Sequence, residues 1–120
     1  MSEYRQGYYS VIQYIPDHGR LEAVNIGLTI FDVRQNRCAT KVITEFGRVE
    51  QFFGKEAVKM VSMFVGGLVS RIDDHIHSLP ELKNYVHTRA NSIRLVEPRS
   101  MALERSLSDE LSDLFSELVL

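Results

Sequence analysis

The 120-residue chain is 44% hydrophobic and 25% charged, a balance that argues against disorder and fits one α+β domain over residues 1–120. A chain this long buries roughly two thirds of its unfolded surface, so it needs neither disulfide nor metal staples. The net charge of −2 gives no global pull toward nucleic acid or anionic membrane. The single cysteine, Cys38, cannot form an internal disulfide, and it reads as a small buried hydrophobe in a reducing cytoplasm. The amino terminus, "MSEYRQGYYS", lacks an apolar signal core, and no run of about 18 apolar residues occurs, so neither secretion nor membrane spanning is expected.

The first element is Tyr8 to Ile15, aromatic and β-branched, which predicts a strand stopped by Pro16, with Asp17 and Gly19 supplying the turn. A second strand runs from Glu22 to Asp32. Its alternation of Val24, Ile26, Leu28 and Ile30 predicts one core-facing side, which leaves Ala23, Asn25, Gly27 and Thr29 on the other. "VRQNR" then reverses the chain into "CATKVITE", completing a three-stranded antiparallel meander.

Between Phe46 and Gly54 the aromatics and glycines predict a short turn or helix folded back onto the sheet. From Lys55 to about His77, the spacing of Ala57, Val61, Phe64, Val65, Leu68, Ile72 and Ile76 predicts a helix with one buried stripe covering a face of the meander. Gly66 and Gly67 in its middle cost roughly 1 kcal/mol each against alanine, and the expectation is a packing role. Ser78 and Pro80 start a second, short helix. "NSIRLVE" reads as a fourth strand ended by Pro98. Last, "SLSDELSDLFSELVL" is an amphipathic helix capped by Ser106 or Ser108, with Leu111, Leu114, Phe115 and Leu118 on one face. The order predicts an α+β fold: an antiparallel sheet of three to four strands, the meander plus a later strand, with helices packed mainly on one face.

The sequence carries no catalytic signature. Asp73, Asp74, His75 and His77 form its densest group of functional-type residues, yet on a helix only Asp73 and His77 share a face, and a metal would need a third ligand such as His87 or His18. A solvated helix end is the better reading, which leaves a metal-dependent hydrolase as the least favoured function. No Gly-x-Ser-x-Gly elbow, dinucleotide fingerprint or phosphate loop occurs, so no cofactor and no bound metal are expected.

One local asymmetry stands out. From Lys83 to Arg105 the basic residues Lys83, Arg89, Arg94, Arg99 and Arg105 face only Glu97 and Glu104. If Arg89, Arg94 and Arg99 share a face, their guanidiniums could grip phosphates or a partner's carboxylates. Alternatively, they solubilise an edge strand and pair with Asp109, Glu110, Asp113 and Glu117 of the last helix. Asn25 and Gly27 pose a similar choice. Gly27 would let a helix or crossing backbone lie close, and Asn25 would tie down a neighbouring loop, with Pro98-Arg99-Ser100 the expected one; or the two belong to a site.

Two stretches carry a family resemblance. Tyr8 to Asp32, with its Val-Asn-Ile-Gly strand, and Asn91 to Val119, with its Pro-Arg-Ser stretch and closing helix, resemble the domain of unknown function 3037 family of bacteria. The resemblance implies a short domain of unestablished activity, often encoded beside kinase-like proteins related to HipA, and hence a partner role. It transfers no catalytic residues; Asn25, Gly27, Pro98, Arg99 and Ser100 are the matching positions. The expectation is therefore a small cytoplasmic, non-catalytic binding or adaptor module that docks a protein partner or self-associates, with Asn25, Gly27, Arg94, Arg99 and Ser100 as candidate binding residues. The alternative is a nucleic-acid or nucleotide-phosphate binder using the Arg89 to Arg105 surface.

Overall fold

A computed structural model describes residues 4–15, 23–86 and 93–120. The expected turn at Pro16, Asp17 and Gly19, the start of the second strand at Glu22, and His18, His87 and Arg89 lie outside the described residues. Strands β1 (Arg5–Tyr14), β2 (Val24–Asp32) and β3 (Arg37–Val42) form the meander, followed by helices α1 (Gly47–Phe53), α2 (Lys55–His75) and α3 (Leu79–Val86). Strands β4 (Ile93–Leu95) and β5 (Arg99–Leu103) precede the closing helix α4 (Leu107–Leu118). The α+β class and the antiparallel sheet agree with the sequence.

The sheet order is β3-β2-β1-β4, with β5 also paired to β1. Strand β1 is long enough to hold both on one edge: Ile12 to Tyr14 pair with β4, and Arg5 to Tyr9 pair with β5. The fourth strand ends before Pro98, as expected, and a fifth strand, beyond the three to four expected, follows it on the same edge. Between the Ile12↔Leu95 and Tyr9↔Arg99 pairs, β1 has Ser10 and Val11 while the edge has Val96, Glu97 and Pro98. The extra residue is accommodated as a bulge, where a proline's missing N–H breaks no ladder bond. The Val96 N–H donates to Val11 O at 2.8 Å, and the buried Ser10 hydroxyl donates to Val96 O.

A second irregularity lies in β2. Ile12 pairs with Gly27 but Gln13 pairs with Asn25, so Ile26 and Gly27 together oppose one residue of β1. A bulge of this kind resets the two-residue alternation. Val24 and Ile26 therefore enter the core under α2, while Leu28 and Ile30 enter the one under α4. The single core face expected for these four residues is thus corrected: both faces of the sheet are buried, each taking two.

Three of the four helices of the described residues lie on one face. There Ala57, Val61, Val65, Leu68 and Ile72 of α2, with Val49 of α1 and Leu82 of α3, pack on Ile12, Tyr14, Phe31 and Cys38. Helix α1 is the expected folded-back segment, with Phe53 edge-on to Tyr14 at 5.5 Å between ring centroids. Helix α4 covers the opposite face with Leu107, Leu111 and Phe115. Its cap is Ser106, whose Oγ accepts from Asp109 N at 3.1 Å. Helix α3 begins as predicted at Ser78, whose hydroxyl accepts from Glu81 N, while Glu81 reaches back to His77 N.

The β2–β3 turn is built on Asp32, which is fully buried. Its carboxylate accepts from the Arg34 and Gln35 amides at 2.9 and 3.3 Å and pairs with Arg5 at 3.2 Å. Arg5 also donates to Arg105 O, joining the start of the sheet to the lead-in of α4.

Candidate functional site

Helix α4 lies chiefly against β2 and β3 and, at the far end of β5, over Leu103; the part of that face beside the β4–β5 break and the middle of β1 is left open. A groove of about 190 Å³ lies there, lined by Tyr9, Val11, Gln13, Asn25, Val96, Glu97, Arg99 and Leu118. Tyr9 and Val11 belong to this side because β1 alternates, and both pack at the margin of the α4 core.

The groove's end wall is a chain of hydrogen bonds. Arg94 donates from Nε and Nη2 to Gln13 Oε1, both at 3.3 Å; Gln13 Nε2 donates to Asn25 Oδ1 at 2.9 Å; and Asn25 Nδ2 donates to Leu118 O at 2.9 Å. The last of these satisfies a carbonyl at the carboxyl end of α4 that has no partner within the helix. Arg48 of α1 donates to Val119 O at 3.2 Å, so side chains from two directions hold the helix end. The expected tie from Asn25 to the Pro98-Arg99-Ser100 segment is corrected: the amide holds α4 instead.

The edge bulge decides where the arginines point. Arg94 and Arg99 are five apart, which in an unbroken strand puts them on opposite faces. With one residue inserted at 96–98, Arg94 pairs with Gln13 and Arg99 with Tyr9, and both stand on the α4 face beside the groove. Arg94 is half-buried and Arg99 exposed. Arg94's bonds go to a neutral amide, and neither arginine joins the ion pairs that Arg105 makes with Glu110 and Asp113. The expected pairing of basic residues with the acidic helix therefore applies to Arg105.

The structure thus brings Asn25, Arg94 and Arg99 together. It sets Gly27 and Ser100 elsewhere. Gly27 faces the α2 side opposite Ile12, where a Cβ would meet Lys41 O and Val42 at 3.0 Å and Ile12 at 3.1 Å. The close approach that Gly27 permits is thus by the neighbouring strand within the sheet. Ser100 pairs with Tyr8 on the α2 side and is exposed there. The residue missed from sequence is Gln13, the hinge of the network. Its signal is a lone amide in the otherwise apolar "VIQYI".

Asp73 and His77 do not converge. Asp73 accepts from Thr40 Oγ1 at 2.7 Å, the same hydroxyl lying 2.9 Å from Thr29 Oγ1, whereas His77 lies beyond the end of α2 with Nε2 2.7 Å from Asp74 O. Burial raises the Asp73 carboxyl above its ordinary range, opposed by the hydrogen bond from Thr40. Burial likewise pushes the neighbouring Cys38 thiol up to about 11, which keeps it protonated and unreactive at neutral pH. Among the described residues, no three His, Cys, Asp or Glu side chains are placed to hold a metal ion. No helix among them is long and apolar enough to cross a membrane.

Compared with known proteins, residues 9–119 match a family model described as Protein of unknown function (DUF3037), and the chain belongs to that family. No curated protein and no solved structure matches it.

Proposed function

We propose that this DUF3037 member is a non-catalytic binding module of the cytoplasm that takes an acidic segment of a protein partner into the groove beside its broken edge strand. The observation that carries the reading is the placement of Arg94 and Arg99 on one face of the sheet, with Arg99 lining a groove that Tyr9 and Val11 also line and Arg94 beside it, bonded to the lining residue Gln13. Planar forks suit carboxylates, and an apolar floor beside them suits the stem of the side chain that carries one. Size points the same way. About 190 Å³ admits one or two side chains, below the roughly 300–1,000 Å³ of sites that enclose a cofactor or metabolite. A kinase-like protein of the HipA type is the first partner to try, on the association that the family resemblance implies.

Titrating the labelled protein with a glutamate-rich peptide, and separately with a lysine-rich one, tests this by NMR. The acidic peptide is expected to shift the amides of Tyr9, Gln13, Asn25 and Val96 to Arg99, and Arg99→Glu is expected to abolish the shifts at unchanged stability. Equal response to both peptides, or shifts spread over the surface, would sink the reading. The shared face of Arg94 and Arg99 also supports a phosphate-binding alternative. Titration with a short single-stranded oligonucleotide distinguishes the two: tighter, steeply salt-dependent binding of the oligonucleotide would replace the peptide reading.

A further inference from the structure

The exposed side of α2 is unusual in a way the protein's own packing does not explain. Opposite the buried stripe run Lys59, Met60, Met63, Gly66, Gly67, Ser70 and Asp74, all exposed. Met63 is 78% exposed and Met60 43%, on a helix whose buried side is already complete. A Cβ on Gly66 would meet nothing within 4 Å, and one on Gly67 only the Arg71 guanidinium at 3.8 Å, which is ordinary contact. The packing role expected for these glycines is therefore not met among the described residues. A pair of glycines in mid-helix weakens the helix, and a surface with large apolar side chains beside bare backbone is the shape into which another helix fits closely.

We propose that two copies of this protein associate by packing α2 against α2, antiparallel, with the crossing point at Gly66–Gly67. The charge pattern argues for a second copy as the occupant. Lys59 stands seven residues before Gly66, and Asp74 seven residues after Gly67. A two-fold axis between the glycines sets Gly66 opposite Gly67 of the second copy, the protruding Met63 opposite the small Ser70, and Lys59 opposite Asp74, with every contact made twice. An isologous interface requires such self-complementarity. Asp74 is the acid available for it, because the Asp73 carboxylate is turned to Thr40. The groove beside β4 and β5 is on the other face of the sheet, so association through α2 leaves it open, and this inference stands apart from the binding reading.

Sedimentation equilibrium of the full chain tests it. The expected result is a concentration-dependent dimer that Gly66→Leu abolishes, the leucine having room in the isolated protein and so leaving its melting temperature intact or raised. Lys59→Glu and Asp74→Lys are each expected to weaken the dimer about tenfold or more by opposing like charges, and the double variant to restore it. A wild type that stays monomeric at sub-millimolar concentration would overturn the proposal. So would a dimer indifferent to Gly66→Leu, or a double variant as weak as the single ones.

Discussion

Gly27 and Asn25 sit two positions apart, yet they serve opposite sides of the sheet. Gly27 is needed where β3 and Ile12 close in: a Cβ would meet backbone oxygen and a branched side chain at 3.0 Å. Gly27→Val is expected to destabilise the fold by about 1–3 kcal/mol through overpacking, measured by denaturant unfolding. A neutral effect would mean that the two strands separate easily. Asp73 gives a pH-dependent counterpart. Because burial raises its carboxyl pKa, the native state holds that proton more tightly than the unfolded chain does. The resulting stability is fully present below the ordinary value of 3.8 and is lost as pH rises through the higher native one. Asp73→Asn keeps an oxygen to accept from Thr40 and removes the titration. The variant is expected to gain on the wild type as pH rises above the ordinary value of 3.8 and through the higher native one, read as the difference in denaturation midpoints.

Among the elements, the helices were the more legible and the strands the less. The stripe of Ala57, Val61, Val65, Leu68 and Ile72 is written in the spacing of α2, and the cap of α4 in Ser106, because both depend on neighbours three or four residues away. Ser106→Ala is expected to lose about 1 kcal/mol with the Asp109 amide left uncapped, seen as a lower melting temperature. An unchanged melting temperature would show that water replaces the cap at no cost. The strands are different. Their side-chain faces follow a period of two, so one inserted residue reverses everything beyond it. Val24 and Ile26 part from Leu28 and Ile30 at one bulge, and Arg94 joins Arg99 across another. Neither bulge is visible in the alternation, because each exists only relative to β1. Pro98 was a local clue to the second, and it reads equally as a strand end.

For the molecule as a whole, the consequence is a sheet with two buried faces in a chain of modest length. Among the described residues the α2 face is closed by three helices and the α4 face by one, so there the second core depends on a single amphipathic segment. Ending the chain after Arg105 is expected to uncover Leu28, Ile30 and Leu103 and produce a species that binds a hydrophobic dye and aggregates. A truncated protein that still melts cooperatively as a soluble species would mean that the α2 core is sufficient. The same economy opens the groove: one helix of 12 residues covers β2, β3 and the Leu103 end of β5, and leaves the surface beside the β4–β5 break uncovered.

By itself, the sequence determined the α+β class, the meander, the amphipathic helices and the family label, since all of these follow from spacing, caps and turn residues within a few positions of one another. It also contained every residue of the groove except for the reason they meet. The tertiary structure alone decided that Asn25 holds the end of α4 through a bond spanning 93 residues, that Gln13 links it to Arg94, and that Arg99 stands on the same face. Strand register and bulges are relations between distant segments, fixed by which pairing buries the most apolar surface, and no local pattern encodes them.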